Sequence, residues 1–208
     1  AGLWVGTTNT NWNVSSNWDD GSVPNGIAVT IQNVANQPII STAVNSITTL
    51  TINAGGSMTI ASGGSIQATG NLTLNGTLTL QENSVLTLND GVGVTISSGG
   101  TLEVRGTSSS AANTAGEINS PSSGTDSWSV TVNDGGILDL RSARLFDGVI
   151  AAAATSPAEM RLADVLFEAL PSGAGDAIID ITGVTSGELW FNDLTLTRGS
   201  AVAATLAR

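Results

Sequence analysis

The fold is decided between Thr49 and Gly106, where the sequence reads TLTINAGGSMTIASGGSIQATGNLTLNGTLTLQENSVLTLNDGVGVTISSGGTLEVRG. An apolar-polar-apolar triplet such as Leu50-Thr51-Ile52 recurs every six or eight residues, and the gaps between triplets hold Gly, Asn, Asp and Ser. This alternation predicts short strands whose outer two side chains point one way and whose middle side chain points the other. The intervening residues are those that turn a chain, because Gly and Asn tolerate positive φ.

Strands this short and this regularly spaced favour a solenoid over a meander of hairpins. The predicted fold is all-β: a right-handed parallel β-helix (β-solenoid) with three short strands per coil. Successive coils lie about 4.8 Å apart. The triplets then stack on three faces, which begin at Leu50, Leu72 and Val94, at Met58, Leu78 and Leu102, and at Ile66 and Leu86.

The middle residues of the triplets form outward ladders, of which Thr51, Thr73 and Thr95 are one. Threonine suits these positions because its branched side chain favours extended backbone. Flat threonine arrays also occur on ice-binding solenoids, so ice binding is a minor alternative. The pairs Thr49/Thr51 and Thr77/Thr79 suggest it, although they fall on different predicted faces.

Composition excludes several classes of site. The chain lacks cysteine, histidine, tyrosine and lysine, which removes disulfides, thiolate or histidine metal sites, the Ser-His-Asp triad and lysine chemistry. A net charge of −11 makes nucleic acid and anionic membranes poor partners. No apolar run approaches the roughly 20 residues that span a bilayer. We expect an extracellular or cell-surface protein whose leader has been removed.

Residues 1–40 lack the regular triplets of the region after Thr49 and contain three of the five tryptophans. Because one Trp buries a large area, we predict a Trp-rich capping segment over the first coil, followed by a solenoid over 41–208. The alternative is a sugar platform, with Trp12 and Trp18 as candidate binding residues, since aromatic faces stack on pyranose rings.

The opening Trp4-x-Gly6, Asn11-Trp12, Asn17-Trp18 and Pro24, followed by the Leu-Thr-Ile repeats, resembles large bacterial surface proteins. These are secreted right-handed β-helix adhesins and autotransporter-like passengers. The resemblance covers about residues 1–106. It implies a surface location and a structural or adhesive role, and it brings no catalytic residues with it.

A Ser/Ala-rich stretch at 107–127 is predicted to be a loop excursion, with one short strand near Glu117-Ile118. Beyond it the chain has wider coils, in which Arg144, Asp164 and Asp193 are predicted corner residues. Their core is expected to be thickened by Phe146, Phe167, Trp190 and Phe191. Two other interpretations stay open: an amphipathic helix over Met160 to Leu170, and a helical or irregular excursion at 151–157.

Charged residues late in the chain form the best cluster for chemistry. β-Helix enzymes cleave acidic polysaccharides with calcium-binding carboxylates and an arginine base, or with paired carboxylates. We nevertheless predict a non-enzyme without a cofactor, because Arg and Asp on adjacent rungs also form solvated ladders. Calcium at Asn89-Asp90-Gly91 or Asn133-Asp134-Gly135 is a weak alternative, since Asn-Asp-Gly is first of all a turn. The candidate residues are Asp139, Arg141, Arg144, Glu159, Arg161, Asp164, Glu188 and Asp193.

The apolar end of the chain, with Val202 and Leu206, is predicted to expose a strand edge. Either the natural protein continues beyond Arg208, or this edge docks onto another copy. The predicted function is therefore a structural or adhesive β-solenoid of a bacterial surface protein, with self-assembly into filaments as an extension. Expected partners are copies of itself, other surface proteins and glycans. The main alternative is a polysaccharide lyase or hydrolase.

Overall fold

The computed structural model describes residues 2–121, 128–152, 157–168, 178–180 and 184–197. Its strands all pair in parallel, each with the strand one coil earlier or later, and a single 3-10 turn (Ser15–Asn17) is the only helix in these residues. This confirms the predicted all-β parallel solenoid.

Face 1 is an eight-stranded sheet. In order along the axis its strands are β1 (Gly2–Trp4), β2 (Val29–Ile31), β4 (Leu50–Ile52), β7 (Leu72–Leu74), β10 (Gly93–Ile96), β13 (Trp128–Val132), β15 (Gly148–Ala152) and β17 (Ile178–Asp180).

Faces 2 and 3 start as separate walls and later merge. Face 2 holds β3 (Ile39–Ile40), β5 (Ser57–Ile60), β8 (Thr77–Gln81) and β11 (Thr101–Arg105), and face 3 holds β6 (Ser65–Ala68), β9 (Ser84–Leu88) and β12 (Gly116–Asn119). Three long strands then cover both faces: β14 (Ile137–Phe146), β16 (Glu159–Glu168) and β18 (Glu188–Thr197).

The predicted register is confirmed on all three faces. Leu50 pairs with Leu72 and Leu72 with Val94 on face 1. The other two faces pair as Met58-Leu78-Leu102 and Ile66-Leu86. The flanking residues of each triplet are buried, so the coils share one continuous apolar core. Burial of apolar surface along this column is the main stabilising contribution.

The corner between faces 2 and 3 separates two kinds of coil. In the narrow coils, residues 29–105, this corner takes several residues, with Gly63 and Asn83 at φ of 80° and 55°. In the wide coils, residues 137–197, the strand bends at one residue of positive φ: Ser142, Asp164 or Asp193. The predicted corners at Asp164 and Asp193 are confirmed, whereas Arg144 lies two residues beyond its corner.

Two other predictions about the wide coils need correction. Residues 159–168 form β16, paired on both sides, so the helix over Met160 to Leu170 is wrong for the described residues. At 151–157, Ala151 and Ala152 belong to β15, while 153–156 lie outside the described residues.

The predicted aromatic core is right only in part. Phe167 is buried, but Phe146 and Trp190 occupy outward positions. Trp190 is 59% exposed, because it stands on the rung of Arg161 rather than on a core rung.

Candidate functional site: the charged ladders and the two ends

Face 2 carries the first group of candidate residues. Asp139 lies between Glu103 and Arg161 on one outward ladder. Its carboxylate accepts two hydrogen bonds from Arg141, at 2.9 and 2.8 Å, and pairs with Arg105 at 2.9 Å. Only 5% of Asp139 is exposed. The lower rung is also paired, because Arg105 contacts Glu103.

This pairing favours the charged forms of both groups. Burial would raise the pKa of Asp139, but its bonds with Arg141 and Arg105 outweigh burial and hold that pKa below its ordinary value. The same hydrogen bond raises the pKa of Arg141. An arginine base must lose its proton, and Asp139 makes that loss harder.

Face 3 carries a second group around Arg144. Its guanidinium donates to Glu117 and to Glu168, each at 3.0 Å, and lies 5.0 Å from the ring centre of Phe146. Burial raises the pKa of Glu117, with Arg144 acting in the opposite direction and Glu168 adding to the rise. Arg144 is thus held by two carboxylates and a ring.

Asp164, at the corner, holds a loop. Residues 107–115 leave the coil after β11 and return at β12, which contains the strand predicted near Glu117-Ile118. Ser109 donates to Asp164 through its backbone N–H at 2.9 Å and its hydroxyl at 2.6 Å. Burial opposes ionisation, but hydrogen bonds from Ser109 and Ser142 lower the pKa of Asp164. Asp193 occupies the next corner and is exposed.

The candidate residues therefore fall into three places rather than one. Asp139, Arg141 and Arg161 face outward on face 2, Arg144 lies on face 3, and the two aspartates are at corners. Arg161 pairs with Glu159 at 3.2 Å. Most of these charges have a partner of opposite sign, which favours the ion-pair interpretation of the ladders. Sequence alone could not separate the groups. It predicted a corner at Arg144, two residues beyond the actual corner at Ser142.

The calcium alternative rests on turns. Gly91 and Gly135, the third residues of the two Asn-Asp-Gly sequences, have φ of 76° and 72°. Across the described ranges, no three acidic side chains are grouped so that they could hold a metal ion.

The tryptophans of the first 40 residues are buried. Trp4 and Trp12 each pack edge-on against Trp18, with ring centres 5.0 and 4.7 Å apart, and the three are at most 2% exposed. The indole N–H of Trp18 donates to the Trp12 carbonyl at 2.9 Å. Neither Trp12 nor Trp18 offers a ring face to a sugar, so the structure favours the capping interpretation for them.

The same segment covers the strand edge of face 1. Leu3, in β1, donates its N–H to the Asp19 carboxylate at 2.9 Å, and its carbonyl accepts from the Asp19 N–H at 3.0 Å. Val5 donates to the carbonyl of Asn17, whose buried amide is itself bonded to Asn9 and Asn11. An edge occupied in this way cannot pair with a second chain. The covering part, Val5 to Asp19, is narrower than the predicted cap, because β2 and β3 are ordinary rungs.

The last described strand, β18, carries a core residue that is partly exposed. Phe191 stacks on Leu162, which is fully buried, yet Phe191 is 36% exposed. The predicted assembly residues Val202 and Leu206 lie outside the described residues. Among the described residues, no helix has the length and apolar character needed to cross a bilayer.

Comparisons with known proteins identify one matching family and one weakly similar solved structure. No curated protein matches the sequence. One solved structure, titled as the TibC-catalysed hyper-glycosylated fragment 55–350 of TibA, aligns over 82% of this chain and 83% of its own, with 17% identity and a TM-score of 0.18. That score is too low to support any argument about fold or function. Residues 3–133 match a family described as a domain of unknown function, DUF8693. Because the match covers more than half of the sequence, the chain belongs to that family.

Proposed function

We propose that this chain is a non-enzymatic, extracellular structural or adhesive β-solenoid of a bacterial surface protein. The carrying observation is the in-register stacking of parallel strands on all three faces. Each inner strand of the described residues bonds to strands of the coils before and after it, so a pull along the axis is shared by hydrogen bonds on all three faces. Such a column suits a stalk that holds a binding surface away from a cell.

The outward side chains support the same role. On face 1, Thr30, Thr51, Thr73, Thr95 and Thr131 stack in one unbroken ladder. On faces 2 and 3 the ladders carry paired charges. Both kinds of surface stay hydrated while favouring extended backbone, which suits a rod exposed to water.

The covered edge at β1 argues for a rod rather than a filament. Head-to-tail stacking needs free strand edges at both ends, and Asn17 and Asp19 occupy the bonding groups of face 1 at one end. Contact through the other end alone would give pairs of rods at most. The proposal is therefore a stalk or adhesin module, with filament assembly as the outcome that would revise it.

Negative-stain electron microscopy, with scattering mass across a range of concentrations, tests this. We expect short rods, single or joined in pairs. Ordered fibres of the unmodified chain would contradict the covered edge and restore the filament role. The matched variant is Asp19→Ala, which uncovers the Leu3 N–H and should increase association. Antibody labelling of intact producing cells tests location, and a protein found only inside the cell would contradict the surface role.

The non-enzymatic part is tested by turnover. Purified chain should leave acidic polysaccharides such as polygalacturonate and alginate uncleaved, with and without calcium. Cleavage that is lost in Asp164→Ala or Asp139→Asn would instead establish the lyase or hydrolase alternative. Ice binding is favoured by the five-rung threonine ladder, and an absence of thermal hysteresis would dismiss it.

A further inference from the structure

Trp190 differs from the other four tryptophans of the chain. Trp4, Trp12, Trp18 and Trp128 are at most 2% exposed, whereas Trp190 is 59% exposed. It is exposed because the register of β18 against β16 places it opposite Arg161, on the outward ladder of face 2. An exposed Trp offers a large apolar ring face, and Trp is enriched among the residues that dominate binding energy at interfaces.

Its ring is held from one side. The guanidinium carbon of Arg161 lies 5.8 Å from the ring centre of Trp190, and the Nε of Arg161 forms an ion pair with Glu159 at 3.2 Å. Arg161 is thus fixed by its carboxylate and in turn orients the indole. A ring that is already oriented loses less conformational entropy on binding than a free one.

Polar groups stand beside the ring. Asn192 is on the same side of β18, two residues further along, and is exposed. One rung below Asn192 is Ala163, and below that is Arg141. Because Ala163 has a small side chain, little separates the Asn192 amide from Arg141, and both groups can bond hydroxyl groups.

Charge narrows the class of ligand. Arg141 is paired with Asp139 and Arg161 with Glu159, while Glu188 begins the same strand as Trp190 and is exposed. The surroundings of the ring therefore carry no unpaired positive charge among these residues, in a chain of net charge −11. An anionic sugar would be repelled.

We propose that Trp190, Asn192 and Arg141 form a binding subsite for a neutral sugar ring of a glycan. The apolar C–H face of a pyranose stacks on the indole, and its hydroxyl groups bond to the amide and guanidinium. The inference rests on the proposed adhesive function and supplies its ligand class. In this proposal the sugar stacks on Trp190 rather than on Trp12 and Trp18, the candidates suggested by the sequence.

Tryptophan fluorescence of the full chain tests the proposal, with cellohexaose, chitohexaose, maltohexaose and mannohexaose as neutral probes and oligogalacturonate as the anionic one. Because Trp190 is the exposed tryptophan, its long-wavelength emission should shift on stacking with at least one neutral probe. Trp190→Ala should remove that signal, and a calorimetric titration should show binding weakened about tenfold or more. Trp190→Phe should retain most of the affinity, and Thr73→Val on face 1 should retain all of it.

Three results would overturn the proposal: no neutral probe binding at millimolar concentration, binding unchanged in Trp190→Ala, or binding of oligogalacturonate alone. Circular dichroism of each variant separates lost binding from lost fold. A failure here would leave the stalk function intact, since rod shape and surface location are measured without sugar.

Discussion

The narrow coils and the wide coils share one apolar core but differ in their corners and in their outward ladders. In the narrow coils the strands are separated by glycine-containing turns, and the outward ladder of face 1 is threonine. In the wide coils one strand covers two faces, its corner is Ser142, Asp164 or Asp193, and the outward ladders carry ion pairs. The difference indicates that core register is the constant requirement, while corner and surface chemistry vary along the axis.

The consequences differ as well. A glycine turn depends on the absence of a side chain, so it is vulnerable to any added atom. A paired corner or ladder depends on charge, so it is vulnerable to acid and to loss of one partner. The following predictions test that contrast, beginning with the largest effect.

Gly100→Ala should be the most damaging change, because a Cβ at this position would overlap the carbonyl oxygen of Leu74 in the coil below. Backbone cannot move away as a flexible side chain could, and we expect a loss of about 3 kcal/mol or more. Urea unfolding followed by circular dichroism measures it.

The matched control is Gly99→Ala. Gly99 has φ of 76° and open space where its Cβ would be, so only backbone strain of about 1–2 kcal/mol applies. Equal effects at Gly99 and Gly100 would contradict the steric explanation.

Asp139→Ala should be the most damaging surface change in the wide coils. It removes the buried carboxylate that joins Arg105 and Arg141; because both arginines are partly exposed to water, we expect a loss of about 2 kcal/mol. The urea midpoint of unfolding should fall accordingly. Thr59→Val, on the same face, is the control, and a loss as large in that variant would show that any outward rung is equally sensitive.

Acid should weaken the wide coils before the narrow ones. In the folded protein the pKa values of Asp139 and Asp164 lie below the ordinary aspartate value of 3.8. Their stabilising contribution is therefore complete above that value and is lost as pH falls below it. Glu117, whose pKa is raised, acts in the opposite direction and is relieved by protonation.

The measurement is the urea midpoint at about pH 6 and about pH 3 for the wild type and for Asp139→Asn. Because the amide cannot titrate, the variant should lose less stability on acidification. An identical loss in both proteins would contradict the role given to Asp139.

Ser109→Ala should release the loop at 107–115 with a modest cost. It removes the 2.6 Å bond from the hydroxyl to Asp164 but leaves the backbone bond, and we expect a loss of about 1 kcal/mol. Limited proteolysis should cut the loop faster. Ser110→Ala, in the same loop but bonded only to Ser108, should be cut at the wild-type rate.

Thr73→Val should be nearly neutral. The hydroxyl of Thr73 has no protein partner among the described residues, and valine favours extended backbone equally well. We expect the free energy of unfolding, measured by thermal denaturation, to change by no more than about 0.5 kcal/mol. A large loss would show that the threonine ladder stabilises the narrow coils through bonded water.

The sequence by itself determined the solenoid, the three faces and their register, because each two-residue alternation fixes which side chains enter the core. It also identified Asp164 and Asp193 as corners. Tertiary structure decided the rest. Trp190 is exposed because the register of β18 against β16 sets it opposite Arg161, whereas Trp12 is buried because it packs against Trp18.

The same holds for the charges and the covered edge. Asp139 is joined to Arg105, and Asp164 to Ser109 across 55 residues, only because the coils stack. Asn17 and Asp19 fold back onto β1, which no periodic pattern indicates. Periodicity encodes the direction in which a side chain points, whereas its partner depends on the three-dimensional stacking of coils.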